Sequence, residues 1–138
     1  INSIVHTHSK YATIWAQACK SIPNKGTTHS DYWFNDIPIT KKLSKKQITK
    51  DYEKNIGVEI VKVLKKSFTY GLLIANHGVI TFGKNIEEAI LYAERLEYIA
   101  EMAFKTDVLK KSNKPLISKD LIKKHYFRKH GSKSYYGQ

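Results

Sequence analysis

With 138 residues, 41% hydrophobic and 26% charged, the chain is long enough for one globular domain with a sizeable core, and no apolar run is long enough to cross a bilayer. The single cysteine, Cys19, excludes an internal disulfide and suits a reducing cytoplasm, and the start Ile1-Asn2-Ser3-Ile4-Val5 lacks the basic region and cleavage site of a signal peptide. The net charge of +12 is mostly lysine in scattered pairs such as Lys41-Lys42 and Lys65-Lys66, which, with no nucleic-acid motif beside them, read as solvated faces compatible with an anionic small substrate.

The chain opens inside an apparent strand, Ile1 to Val5, and its only methionine is Met102, so the expectation is a single domain over 1–138 cut from a longer protein. His6 and His8 follow in Ile4-Val5-His6-Thr7-His8. Strand side chains alternate faces, so two imidazoles two residues apart leave the same face. Ser9 to Lys20 carries Ala12, Trp15, Ala16 and Cys19 at helical spacing, a core-facing stripe, and Ile22-Pro23-Asn24-Lys25-Gly26 ends it. A polar and aromatic stretch from Thr27 to Phe34 holds His29 and Asp31. Ile37-Pro38-Ile39-Thr40 is predicted as a short edge strand, where proline is tolerated. Ser44-Lys45-Lys46-Gln47 spells a capping box, and a helix follows toward Lys66 with Ile56, Ile60, Val63 and Leu64 on one face. Gly71 to Asn76 is a buried strand ending at His77-Gly78, and Val79 to Gly83 continues extended. Asn85 to Glu88 opens a long helix with Ile86, Ala89, Ile90, Ala93, Leu96 and Ala100 on one stripe. Lys111 to Pro115 breaks it, a last helix runs from Ser118 to His130, and the tail Gly131 to Gln138 is polar and aromatic. The alternation of elements predicts one α/β domain.

Two imidazoles converging on one point are expensive in a core, because each has polar nitrogens to satisfy, and they suit Zn2+ or another borderline divalent metal. An H-x-H alone is more often a chance feature of a surface strand. His77, ending a buried strand before Gly78, is placed to reach into a cleft as a third imidazole. Three histidines with a fourth position open are the pattern of a catalytic zinc. A hydrogen-bonded strand-end histidine is an equal alternative. Asp31, beside aromatics, is a candidate acid or base whose pKa partial desolvation would raise. An Asx-turn or helix cap is the commoner use of such a residue. Tyr135 and Tyr136 at the chain end predict a tail that docks, on its own domain or on a neighbour, and a tyrosine there can donate a proton.

Ile4-Val5-His6-Thr7-His8-Ser9, Ala12 to Ala18, Gly26-Thr27-Thr28-His29 with Asp31-Tyr32, and His125-Tyr126 with Arg128-Lys129-His130-Gly131 and Tyr135-Tyr136-Gly137-Gln138 together resemble the L-ribulose-5-phosphate 4-epimerases. That family belongs to the class II aldolase superfamily, with the L-fuculose-phosphate aldolases and the adducin head domain. The resemblance covers the whole chain, as the C-terminal majority of the family's sequence. It implies a three-layer α/β/α fold with a central, mostly antiparallel sheet and the N-terminal part missing. It implies Zn2+, or Mn2+ or another divalent metal, on His6, His8 and His77. It gives Asp31 and Tyr136 as proton carriers on opposite sides of an aldehyde, with substrate contacts from Thr27, His125 and Arg128.

The implied reaction interconverts L-ribulose 5-phosphate and D-xylulose 5-phosphate. The C3–C4 bond is cleaved, glycolaldehyde phosphate rotates, and the bond re-forms on the other face, the metal acting as a Lewis acid on the ketose oxygens. The implied setting is a cytoplasmic homotetramer serving arabinose or ascorbate breakdown, its active site at a subunit interface to which the neighbour gives Tyr136. The docked tail would run from His125 to Gln138 along that neighbour. The family's acidic zinc ligand and phosphate loops precede the H-T-H motif and are not in this chain, so the activity belongs to the parent enzyme. Two other readings are a product-releasing aldolase of the fuculose-phosphate type and a non-catalytic adducin-like interaction domain. The terminal motif and Asp31 argue against the first, and the retained histidines, Asp31 and Tyr136 against the second. No nucleic-acid or membrane partner is expected.

Overall fold

Three strands, β1 (Ser3–Thr7), β2 (Gly71–Ile74) and β3 (Gly78–Gly83), form an antiparallel sheet in the order β1-β3-β2. The computed structural model describes residues 1–110, 114–132, 134 and 135. Six helices accompany the strands: α1 (Lys10–Gln17), α2 (Thr27–Ser30), α3 (Lys45–Thr49), α4 (Tyr52–Lys66), α5 (Ile86–Leu109) and α6 (Lys119–His130).

Strand alternation sorts the apolar residues of the hairpin onto two faces. Leu73 and Val79 pack with Ala12, Trp15 and Ala16 of α1 and with Tyr92, Leu96 and Ile99 of α5. Leu72, Ile74 and Phe82 point the other way, onto Ile60 of α4. Helices on both faces give the three-layer α/β/α arrangement that the family resemblance implies. Leu72 and Leu73 are fully buried, and each contributes about 1.5–3 kcal/mol by leaving water. Among the described residues no helix is long and apolar enough to cross a membrane.

Local differences from the sequence expectations have identifiable causes. The first strand reaches Thr7, so His6 lies within it. Helix α1 stops at Gln17, and Cys19 follows in a left-handed conformation (φ 52°), off the core stripe. The N-cap Ser9 makes no capping bond. Glu97 of α5 instead accepts from the Tyr11 and Ala12 amides at 2.8 and 2.9 Å, satisfying donors at the helix start with a favourably placed negative charge.

The capping box at Ser44 and Gln47 forms as predicted, but the helix it opens ends at Thr49. Asp51 breaks the chain with φ 58°, and α4 begins at Tyr52. The Ile37–Thr40 segment makes single bridges, Ile22 to Ile37 and Ile39 to Leu73, rather than a strand. In α5, Ile86 and Ile90 are exposed, and Tyr92, Ile99 and Ala103 take the buried face. The Thr81 hydroxyl donates to the Ala89 carbonyl at 2.8 Å, so Ala89, not Ile86, begins the buried stripe. The Tyr135 ring is exposed on the single chain, while its amide donates to the Arg128 carbonyl at 2.8 Å.

Candidate metal centre

The sheet register carries His6 toward the site. His6 pairs with Ile80, so it shares the face on which Phe82 and Ile74 meet α4. Helix α4 covers β2 and leaves the β1 end of that face open, where His6 and His8 are exposed. His77 comes from the turn joining β2 to β3. Its amide donates to the Ile74 carbonyl at 3.0 Å, and Asn76 beside it is left-handed (φ 59°). The turn is pinned from behind: the Asn76 amide donates to the Ala16 carbonyl at 2.9 Å, and the Ala75 amide to the Thr40 hydroxyl at 3.0 Å.

These supports bring three ring nitrogens together. His6 Nε2 lies 3.1 Å from His8 Nε2 and 3.1 Å from His77 Nε2. All the potential ligand atoms fall within 4.8 Å of one another, and no described carboxylate or thiol joins them. Two nitrogens each about 2.0–2.1 Å from a zinc ion stand roughly 3.3 Å apart at a tetrahedral angle, so the spacing fits one shared ion.

The donor chemistry fits as well. His6 Nδ1 lies 2.8 Å from the Val79 carbonyl, which can only accept, so that nitrogen carries a proton, and in the neutral ring Nε2 offers its lone pair. Burial, and then the neighbouring His6 and His8, hold the His77 imidazole below its ordinary pKa, which favours the neutral form that metals bind. Within this chain His6 and His8 are exposed and His77 is half-buried.

Asp31 belongs to a different network. It follows α2, with its amide donating to the Thr27 carbonyl at 2.9 Å; Thr27 itself is the first residue of that helix. The Asp31 carboxylate receives His125 Nδ1 at 3.0 Å and Arg128 Nη2 at 3.1 and 3.2 Å, with the Lys129 ammonium at 3.4 Å. His130 Nε2 donates to the Asp31 backbone carbonyl at 2.9 Å. Burial pushes the Asp31 carboxyl up, but the His125 hydrogen bond and the charges of Lys129 and Arg128 outweigh it and hold the pKa below the usual value. The expected rise is thereby reversed: the nearest groups are the cations of α6, not the aromatics alone.

Within its own chain, α6 meets Asp31 through His125, Arg128, Lys129 and His130. Tyr136 lies outside the described residues.

The sequence reading missed two contributors. The Tyr52 hydroxyl is 3.2 Å from His77 Nδ1, a contact with no motif to announce it. Gly78 is needed for its size rather than for a left-handed backbone, since its φ is not positive. What it supplies is room for His8.

Three imidazoles thus meet at the edge of an antiparallel sheet that has helices on both faces. Residues 1–104 match the Class II Aldolase and Adducin N-terminal domain family, and the chain belongs to that family. Over its whole length it is 40% identical to the L-ribulose-5-phosphate 4-epimerase UlaF of Salmonella paratyphi C and to that of Salmonella choleraesuis, and it spans 61% of the length of each. A solved L-fuculose 1-phosphate aldolase shares the fold, with a TM-score of 0.70 over 89% of this chain and 53% of that one, at 19% identity.

Proposed function

We propose that this chain is part of a divalent-metal-dependent sugar-phosphate epimerase that interconverts L-ribulose 5-phosphate and D-xylulose 5-phosphate. The observation that carries the reading is the meeting of His6, His8 and His77 Nε2 atoms at one point. The 40% identity to proteins named as that epimerase supports the substrate class. Zn2+ suits three neutral imidazoles, and Mn2+ is a second candidate. Bound there, the ion would supply Lewis-acid stabilisation of the charge that develops on the ketose oxygens as C3–C4 breaks.

The chain's own residues handle the protons. Asp31, kept ionised by α6, accepts the C4 hydroxyl proton as the C3–C4 bond breaks and glycolaldehyde phosphate separates from the three-carbon fragment. Re-addition to the aldehyde's other face leaves an alkoxide on the opposite side, which Tyr136 of a neighbouring subunit protonates. Arg128 and His125 hold the carboxylate, with Thr27 beside it. The reading places these sites at the subunit interfaces of a cytoplasmic homotetramer.

The test is product analysis. The full-length protein with Zn2+ should convert L-ribulose 5-phosphate to D-xylulose 5-phosphate without accumulating glycolaldehyde phosphate. Accumulation of that aldehyde would assign an aldolase instead, and no turnover would overturn both.

A further inference from the structure

The imidazoles of the centre are held by different means. His6 is fixed by backbone, through the Val79 carbonyl at 2.8 Å. His77 is met by a side chain, with the Tyr52 hydroxyl 3.2 Å from its Nδ1. Tyr52 is the first residue of α4, immediately after the left-handed Asp51. That junction is braced: Asn55 Nδ2 donates to the Gln47 carbonyl at 3.0 Å and to the Lys50 carbonyl at 2.8 Å, and the Asn55 amide donates to the Asp51 carbonyl at 2.9 Å. On the other side, His77 ends a turn pinned to Ala16 and Thr40. Hydroxyl and ring are therefore each carried by a fixed segment.

A histidine that coordinates through Nε2 carries its proton on Nδ1, and that N–H needs a hydrogen-bond acceptor. The Val79 carbonyl is that acceptor for His6. For His77 the group in place is a phenol, which can donate or accept. If it donated, the Nε2 of His77 would hold the proton and could not coordinate.

We propose that Tyr52 is a positioning residue of the metal centre: its hydroxyl oxygen accepts a hydrogen bond from Nδ1–H of His77 and holds the ring in the tautomer whose Nε2 lone pair faces His6 and His8. This rests on the metal reading given above. It ties the site to α4, so that the start of that helix sets the affinity of a centre whose ligands all lie elsewhere.

The test uses the full-length protein with 15N-labelled histidine. Metal-free spectra read the tautomers, and a Co2+ titration reads affinity. Wild-type His77 should be protonated on Nδ1. Tyr52→Phe should remove that preference and weaken Co2+ binding about 10- to 100-fold. His6, whose partner is a backbone carbonyl, should keep its tautomer in both proteins and so reports an intact site. Wild-type His77 protonated on Nε2 would overturn the proposal without any variant. An unchanged tautomer and affinity in Tyr52→Phe would overturn it too. A wild type that binds no Co2+ would overturn the metal reading, and the tautomers would still decide the role of Tyr52.

Discussion

Gly78 stands where His8 needs space: a Cβ built on it would lie 2.9 Å from His8 Cδ2 and 2.7 Å from the Thr7 carbonyl oxygen. A flexible side chain could yield, but a backbone carbonyl within a paired strand cannot do so without moving β1. Gly78→Ala should therefore push β1 and His8 away from His77. Overpacking of this kind costs about 1–3 kcal/mol. We expect that loss in urea unfolding, and a Zn2+ affinity at least roughly tenfold weaker in a chelator competition, since the misplaced group is a ligand. Wild-type affinity in the variant would mean that His8 is not held by this contact.

His29 predicts acid sensitivity. It is buried, with Nε2 donating to the Asn35 carbonyl at 2.9 Å, and burial pushes its pKa from 6.5 down to about 4 against the opposing effects of Asn35 and Asp36. Between those values the unfolded chain binds a proton that the folded chain does not, so stability rises with pH. Acidification from about pH 6.5 to 4 should remove up to about 3 kcal/mol, with no further loss from this group below that. Asp31, whose folded pKa is lowered, contributes stability that is present above 3.8 and lost below it, outside this window. Burial lowers His77 in the same sense as His29. Chemical denaturation across pH, run with chelator, should show a shallower slope in His29→Gln. An unchanged slope would remove His29 as the cause.

Asp31→Asn separates an ion-pair partner from a proton carrier. Losing the charge that gathers His125, Arg128 and Lys129 should cost about 1–3 kcal/mol. Epimerisation should slow about 10²–10⁴-fold, because the amide cannot accept the proton. A variant that loses stability and keeps its turnover would leave Asp31 a purely structural anchor for α6.

The shared-site reading makes a further prediction. Mixing a Tyr136→Phe protein with an Asp31→Asn protein should restore some activity, because mixed tetramers contain a few sites with both native groups. No rescue, with mixed tetramers verified by mass spectrometry, would place both groups in one subunit or remove one from the reaction.

Much of this architecture was legible because it is periodic. The buried strand after Gly71, the extended run to Gly83 and the capping box at Ser44 follow from local patterns. The turn into α4 was not legible, since Asp51 adopts φ 58° without a glycine to signal it. The stripe of α5 was misread by a few residues, because Ile86 and Ile90 are apolar enough to look buried while a hydrogen bond from Thr81 sets the face. The histidines of the site were legible as candidates, since H-x-H on a strand fixes a common face. Their surroundings were not. Tyr52 and Gly78 act across sequence gaps, and His125 and Arg128 of α6 reach Asp31 from 94 and 97 positions away.

Zinc K-edge X-ray absorption on the full-length protein loaded with one equivalent of Zn2+ reads the centre directly. The expected spectrum has three imidazole nitrogens at about 2.0–2.1 Å and oxygen in the remaining positions, and His8→Ala should lose one imidazole together with most of the affinity. Zinc bound without imidazole scattering, or a His8→Ala spectrum identical to wild type, would contradict the assignment of His6, His8 and His77 as the metal site.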